Sequence, residues 1–143
     1  MHRLDDIFDY SFDLLALLCS AKPHKLAWIF NHKLHLHFQR DANLCIKTRD
    51  NAAHSFLHYS YQTDHAKVRL VRNKSLEARP QAVAFILPEL SQYDYFLLID
   101  DPTNAHNFDK VKAVLRNLPT IEHQLLVDAS TLKNKENLMF YYG

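Results

Sequence analysis

The sequence predicts an α+β fold: a largely antiparallel β-sheet with two main helices, in the order β-α-β-β-β-β-β-α-β, and a short C-terminal helix. Three observations lead there. Short apolar runs bounded by Pro, Asp and Asn recur along the chain, as strands do. Two longer stretches, 24–34 and 108–118, repeat apolar residues at helical spacing. The connections between the middle strands are short, which favours antiparallel neighbours with the helices on one face. At 143 residues, a single domain spanning 1–143 is expected, long enough to bury a core without metal or disulfide staples.

The elements follow in order. Residues 1–10 read as a short lead-in. Ser11 to Cys19 fits a helix through Phe8, Phe12, Leu15 and Cys19, and a strand through Phe12, Leu14, Ala16 and Leu18; its length, with the family resemblance given below, tips the balance to a strand. Pro23 suits the first turn of a helix from His24 to Leu34, whose apolar face is Leu26, Ala27, Ile29, Phe30 and Leu34. Trp28 reads as a core or sheet-face residue, as do Tyr93 and Tyr95. Leu34, Leu36 and Phe38 then alternate with His35 and His37 as a half-buried strand. Asp41-Ala42-Asn43 breaks it, and Leu44-Cys45-Ile46 resumes. Ser55 to Tyr61 alternates strongly, Thr63-Asp64-His65 makes a tight connection, and Lys67 to Arg72 completes a hairpin. A polar loop, Asn73 to Gln81, leads to two apolar runs, Val83 to Leu87 and Tyr95 to Ile99. Both read as buried strands at the centre of the sheet, with Pro88 holding Leu87 extended and opening the turn between them. Thr103 or Asn104 caps a helix carrying Phe108, Val111, Leu115 and Leu118, and Pro119 stops it. Ile121 to Val127 is a strand, reached from the central one by a right-handed crossover. Asp128 caps a terminal helix near Ser130 to Glu136.

Composition narrows the function. Hydrophobic residues make up 48% and charged residues 23%, with a formal net charge of +1, so no global pull toward nucleic acid or membrane exists. The N-terminus MHRLDDIFDY is too acidic for a signal peptide, and no apolar run approaches the roughly 20 residues that span a bilayer. A cytoplasmic protein is expected, with Cys19 and Cys45 as buried free thiols. The single glycine is Gly143. Glycine-rich phosphate loops, dinucleotide fingerprints and the nucleophile elbow are thereby excluded, and no cofactor is expected.

The segment Leu87 to Ile99, LPELSQYDYFLLI, resembles the signature of the bacterial family named IPExxxVDY for its own motif. Pro88, Glu89, Asp94 and Tyr95 match; Leu87 stands where the name has Ile, and Tyr93 where it has Val. Lys25-Leu26-Ala27-Trp28 with Asn31, Asn73-Lys74-Ser75, and Leu132 to Leu138 are similar to further stretches of that family. The resemblance implies a fold and a bacterial cytosolic setting, and no catalytic residue.

Four constellations carry chemistry. His35 and His37 place two imidazoles on one side of a strand, with His32 at the helix end, as weak candidates for a metal site that lacks a fixed third and fourth ligand. Glu89 and Asp94 could divide acid and base roles or hold a cation, but their place at strand ends suits acceptors for loop amides better. Lys67, Arg69, Arg72 and Lys74, with Arg79, form a candidate nucleic-acid patch if the hairpin projects them from one face. The aromatic tail Phe140-Tyr141-Tyr142 either docks as an edge strand or meets a partner. The leading expectation is a non-enzymatic binding or adaptor domain. One alternative is an RNA-associated accessory factor using the basic hairpin; another is a metal-dependent or acid–base enzyme using Glu89 and Asp94. Partners in view are a protein, a second copy of the chain, or RNA, and no membrane.

Overall fold

A computed structural model describes residues 12–47, 52–76, 82–102 and 108–142. Its centre is the pair β1 (Asp13–Leu18) and β7 (Tyr95–Asp100), which run antiparallel with Leu15 opposite Leu97. Both are buried on two sides, which is why they read as unbroken apolar runs. Leu15, Leu17, Tyr95, Leu97 and Ile99 face one core. Leu14, Ala16, Phe96 and Leu98 face the other. Truncating a fully buried leucine such as Leu15 or Leu97 to alanine costs about 2–5 kcal/mol.

Around this pair the six-stranded antiparallel sheet continues as β2-β5-β6-β7-β1-β8, with β2 at Gln39–Arg40, β5 at His58–Gln62, β6 at Lys67–Arg72 and β8 at His123–Val127. The hairpin β5–β6 forms as the alternation predicts, with Ser60 opposite Arg69. Its turn needs no glycine, because the Thr63 hydroxyl accepts from the His65 and Ala66 amides at 3.2 and 3.0 Å. Both β7 and β8 lie antiparallel to β1, so they run parallel to each other with β1 between them. The crossover joining them carries the second helix, α2 (Phe108–Arg116).

Helices α1 (Pro23–Lys33) and α2 cover one face. Leu26, Ala27 and Phe30 of α1 and Val111 and Leu115 of α2 enter the same core as Leu15 and Leu97. Pro23 opens α1 at its first turn, where a missing amide costs nothing. The other face is covered by a two-stranded sheet, β3 (Leu44–Lys47) with β4 (Ala53–Phe56). Two 3-10 stretches, Ala129–Thr131 and Lys135–Tyr142, join it there through Ala129 and Leu138. Asp128 caps the first by accepting from the Ser130 amide. The caps expected at Thr103 or Asn104 lie outside the described residues.

Several expectations need correction. The strand placed at 34–38 is absent: His35 adopts φ 55°, the left-handed conformation that ends helices and that glycine ordinarily supplies. With no glycine in the interior of the chain, His35 takes that position, and pairing begins at Gln39. Leu36 and Phe38 are nevertheless buried. The run Val83 to Leu87 is also no strand. It makes a single bridge, Phe85 with Lys74, with backbone bonds to Asn73 and Ser75 around it, and further groups of its backbone bond to the side chains of Asn73, Ser75 and Asn137. The stretch 55–61 divides at Leu57, where the chain leaves β4 and enters β5. Cys45 is exposed, while Cys19 is buried as expected; both are free. The terminal helix is 3-10 and in two pieces.

Candidate functional site

The signature segment is built around Asn73, which comes just after β6 and is fully buried. Its amide side chain donates to the carbonyls of Leu90 (3.1 Å) and Tyr93 (3.0 Å) and accepts from the Leu87 amide (3.1 Å). Its backbone donates to the Asp94 carbonyl and accepts from the Ile86 amide, both at 2.9 Å. Pro88 meanwhile begins a 3-10 turn, Pro88–Leu90, that reverses the chain. The segment that failed to become a strand is thus held by one asparagine. Ser75 adds to this by accepting from the Ala84 amide at 2.8 Å, and Asn137 donates to the Ile86 carbonyl at 2.7 Å.

The two signature carboxylates act as acceptors, toward segments far from their own turn. Glu89 receives the backbone amide of Asn134 at 2.9 Å and its side-chain amide at 2.8 Å. Burial pushes the Glu89 carboxyl up, but the Asn134 donors outweigh it and leave its pKa below the ordinary value. Asp94 receives the Cys19 amide at 2.8 Å, extending the β1–β7 contact past its last pair. Tyr95 donates its hydroxyl to the Ala21 carbonyl at 2.6 Å; burial raises its pKa. Stretches 73–75, 87–95 and 132–138 therefore meet in space. Asn73, Ser75, Glu89, Asp94 and Asn137 are engaged within this meeting of segments. Among the described residues, the buried Asn134 Oδ1 has no hydrogen-bond partner, and no group of three or more metal-ligating side chains forms.

The histidine segment is arranged differently from a metal site. His32 stacks on Trp28 with ring centroids 3.9 Å apart and an interplanar angle of 32°, and its Nδ1 lies 2.9 Å from the Trp28 carbonyl. His37 packs against Tyr61 at 5.5 Å. His35 sits at the left-handed turn between them. Asn31 fixes the path of the chain out of the helix by clasping Phe38, donating to its carbonyl at 3.1 Å and accepting from its amide at 2.7 Å.

Trp28 is not in the core. It is 59% exposed, because it lies across α1 from Leu26 and Phe30. Exposed Lys22, His24, Lys25, His32, Lys33, His35 and His37 surround it in sequence, and residues 22–40 contain no Asp or Glu. None of Lys22, Lys25 and Lys33 is paired with a carboxylate among the described residues. A gap in the acids was visible in the sequence, as was the angular position of Trp28; together they were the missed signal.

The hairpin patch comes together less well. Lys74 is exposed, Lys67 and Arg72 are half-buried, and Arg69 is only 5% exposed. Burial lowers the pKa of both Lys67 and Arg69. Arg79 lies outside the described residues. Beside Arg69, Asp41 accepts from the Ser60 hydroxyl at 2.7 Å and lies 3.8 Å from His58 Nδ1. The order of groups is wrong for a nucleophile, since Ser60 donates to the acid rather than to an imidazole. His58 is itself pushed down to about 4, first by burial and then by Arg69.

A surface hollow of about 480 Å³ lies between α2 and β8. Its lining includes Lys112, Arg116, Glu122 and His123. No helix among the described residues is long and apolar enough to cross a membrane. Comparison with known proteins finds no family model, no curated protein and no solved structure that matches the chain.

Proposed function

We propose that the protein is a non-enzymatic binding domain, and that it binds through the exposed face of α1 centred on Trp28. The observation that carries this reading is a 59% exposed indole inside a stretch, 22–40, free of acidic residues. A large aromatic ring left mostly in water by a fold that buries Tyr93 and Tyr95 adds only a contact with His32 to the structure, whereas exposed Trp is a frequent anchor of interfaces. The resemblance to the IPExxxVDY family fits the same reading. Its matching polar residues, Glu89, Asp94, Asn73 and Asn134, are engaged in holding the fold, so the pattern marks a scaffold more than a reaction. A bacterial, cytosolic setting belongs to this proposal.

The test is cross-linking in living cells with a photoreactive residue at exposed position 24, one helical turn before Trp28 on the same side of α1, and, as control, at His65 on the exposed hairpin turn. A discrete adduct at 24 and none at 65 supports the α1 surface. Equal or absent adducts at both positions refute it.

A further inference from the structure

We infer that the occupant of the α1 surface is single-stranded nucleic acid, one base stacking on Trp28 while Lys22, Lys25 and Lys33 lie against the phosphates. This rests on the binding reading above and names its ligand. The charge argument comes first. Lys22, Lys25 and Lys33 have no carboxylate partner among the described residues, and no acid occurs from 22 to 40. The complement of such a surface is a polyanion.

The ring argument selects among polyanions. The Trp28 indole is backed by the His32 imidazole at 3.9 Å, and His32 is itself held to the Trp28 carbonyl. The ring is therefore presented in a fixed pose with 59% of the residue in water. Stacking on such a ring requires a free aromatic face, which unpaired bases offer and duplexes do not. A lipid surface would need a broad apolar helix face, but Leu26, Ala27 and Phe30 are buried in the protein's own core. One exposed ring suits a base, with Lys25 about 60° from it around α1 and Lys22 and Lys33 about 120–140° from it at the two ends of the helix. From Lys22 to Lys33 the helix rises about 16 Å, enough for a site of a few nucleotides. Arg40 is left out of this count, since it is bonded to Asn43 and to the carbonyls of Asp41 and His58.

Trp28 is the chain's single tryptophan, so its emission reports on this surface alone. Short fluorescein-labelled oligo-uridine and oligo-thymidine are titrated at low salt, reading indole quenching and polarisation together. Binding is expected with at least one of them, and comparison of the two separates RNA from DNA. Three phosphate contacts predict a log–log salt slope of about −2. Trp28→Ala should weaken binding by about ten- to a hundredfold, and Lys25→Ala with Lys33→Ala should bring the slope to about −0.7. Lys67→Ala with Lys74→Ala, on the hairpin, should change neither. Melting curves of each variant confirm folding.

The inference is overturned by absence of binding to both oligonucleotides, or by unaltered binding in Trp28→Ala. It is equally overturned if vesicles of anionic phospholipid or poly-glutamate quench Trp28 while the oligonucleotides do not. In those cases a nuclease-resistant adduct at position 24 in cells would leave the binding surface standing with another occupant. Lack of any adduct removes both readings.

Discussion

Replacing Asn73 with alanine should be among the most damaging single changes in this protein, although Asn73 touches no proposed ligand. The side chain is fully buried and makes three hydrogen bonds. Asn73→Ala leaves the Leu87 amide and the carbonyls of Leu90 and Tyr93 without them. A buried polar group deprived of its partner costs about 1–3 kcal/mol. Leu90 is only half-buried, so water can recover part of the loss, and the sum is about 3–5 kcal/mol. For a chain of this length that lowers Tm by about 10–15 °C. Circular dichroism melts of Asn73→Ala would be compared with Lys74→Ala, the exposed neighbour. Asn73→Asp keeps an acceptor for Leu87 but turns an oxygen toward two carbonyls. It should be at least as unstable at neutral pH, and recover in part under acid as the new carboxyl gains a proton to donate. If Asn73→Ala melts with Lys74→Ala, the asparagine does not hold the signature segment and the reasoning fails.

Glu89→Gln and Asp94→Asn should each lose about 1–3 kcal/mol, toward the lower end for half-exposed Glu89, against Glu122→Gln as an exposed control. Because the folded pKa of Glu89 is depressed, its contribution is present above the ordinary carboxylate range and lost as pH falls through the folded value. The difference between wild type and Glu89→Gln, followed by denaturant melts, should therefore vanish in acid. His58 titrates in the folded protein at about 4, below its unfolded value of about 6.5. Its contribution is complete above the unfolded value and falls away by up to about 3 kcal/mol as pH drops toward the folded one; a steep loss of stability over that window should flatten in His58→Gln. Cys45 is exposed and Cys19 is 1% exposed, with its thiol pushed up by burial. A thiol reagent should label Cys45 in the native protein and Cys19 only on unfolding, read by mass spectrometry; prompt labelling of both would contradict the packing around β1.

Legibility in the sequence depended on local pattern. The β5–β6 hairpin showed as alternation, both helices as helical spacing and β7 as a short apolar run, while β1 fitted a helix as well as a strand and was placed as a strand by its length and the family resemblance. Val83 to Leu87 has strand composition, yet Asn73, Ser75 and Asn137 compete for its backbone, and bonds from distant side chains leave no period to read. His35 shows the same limit: its left-handed turn comes from the lack of glycine, a global property expressed at one residue. At the sites, Glu89 and Asp94 were recognisable as acceptors, but their donors, Asn134 and Cys19, lie 45 and 75 residues away. Trp28 was misjudged because apolar character outweighed its angle on α1. The Asp41–Ser60 contact joins residues that no local pattern links.

The position of β1 also governs how the chain comes to be folded during synthesis. Its six residues, Asp13–Leu18, are made before their partners, Tyr95 to Ile99 and His123 to Val127. Until those emerge, the run Leu14-Leu15-Ala16-Leu17-Leu18 has neither its neighbours nor its two cores. At about 5–20 residues per second of translation, this apolar strand waits several seconds with both edges open. Such long-range pairing is slow to form and exposed to aggregation meanwhile. A ribosome stalled once β6 has emerged would carry helix α1 and the hairpin segment, with the central strand ahead of them still unsheltered.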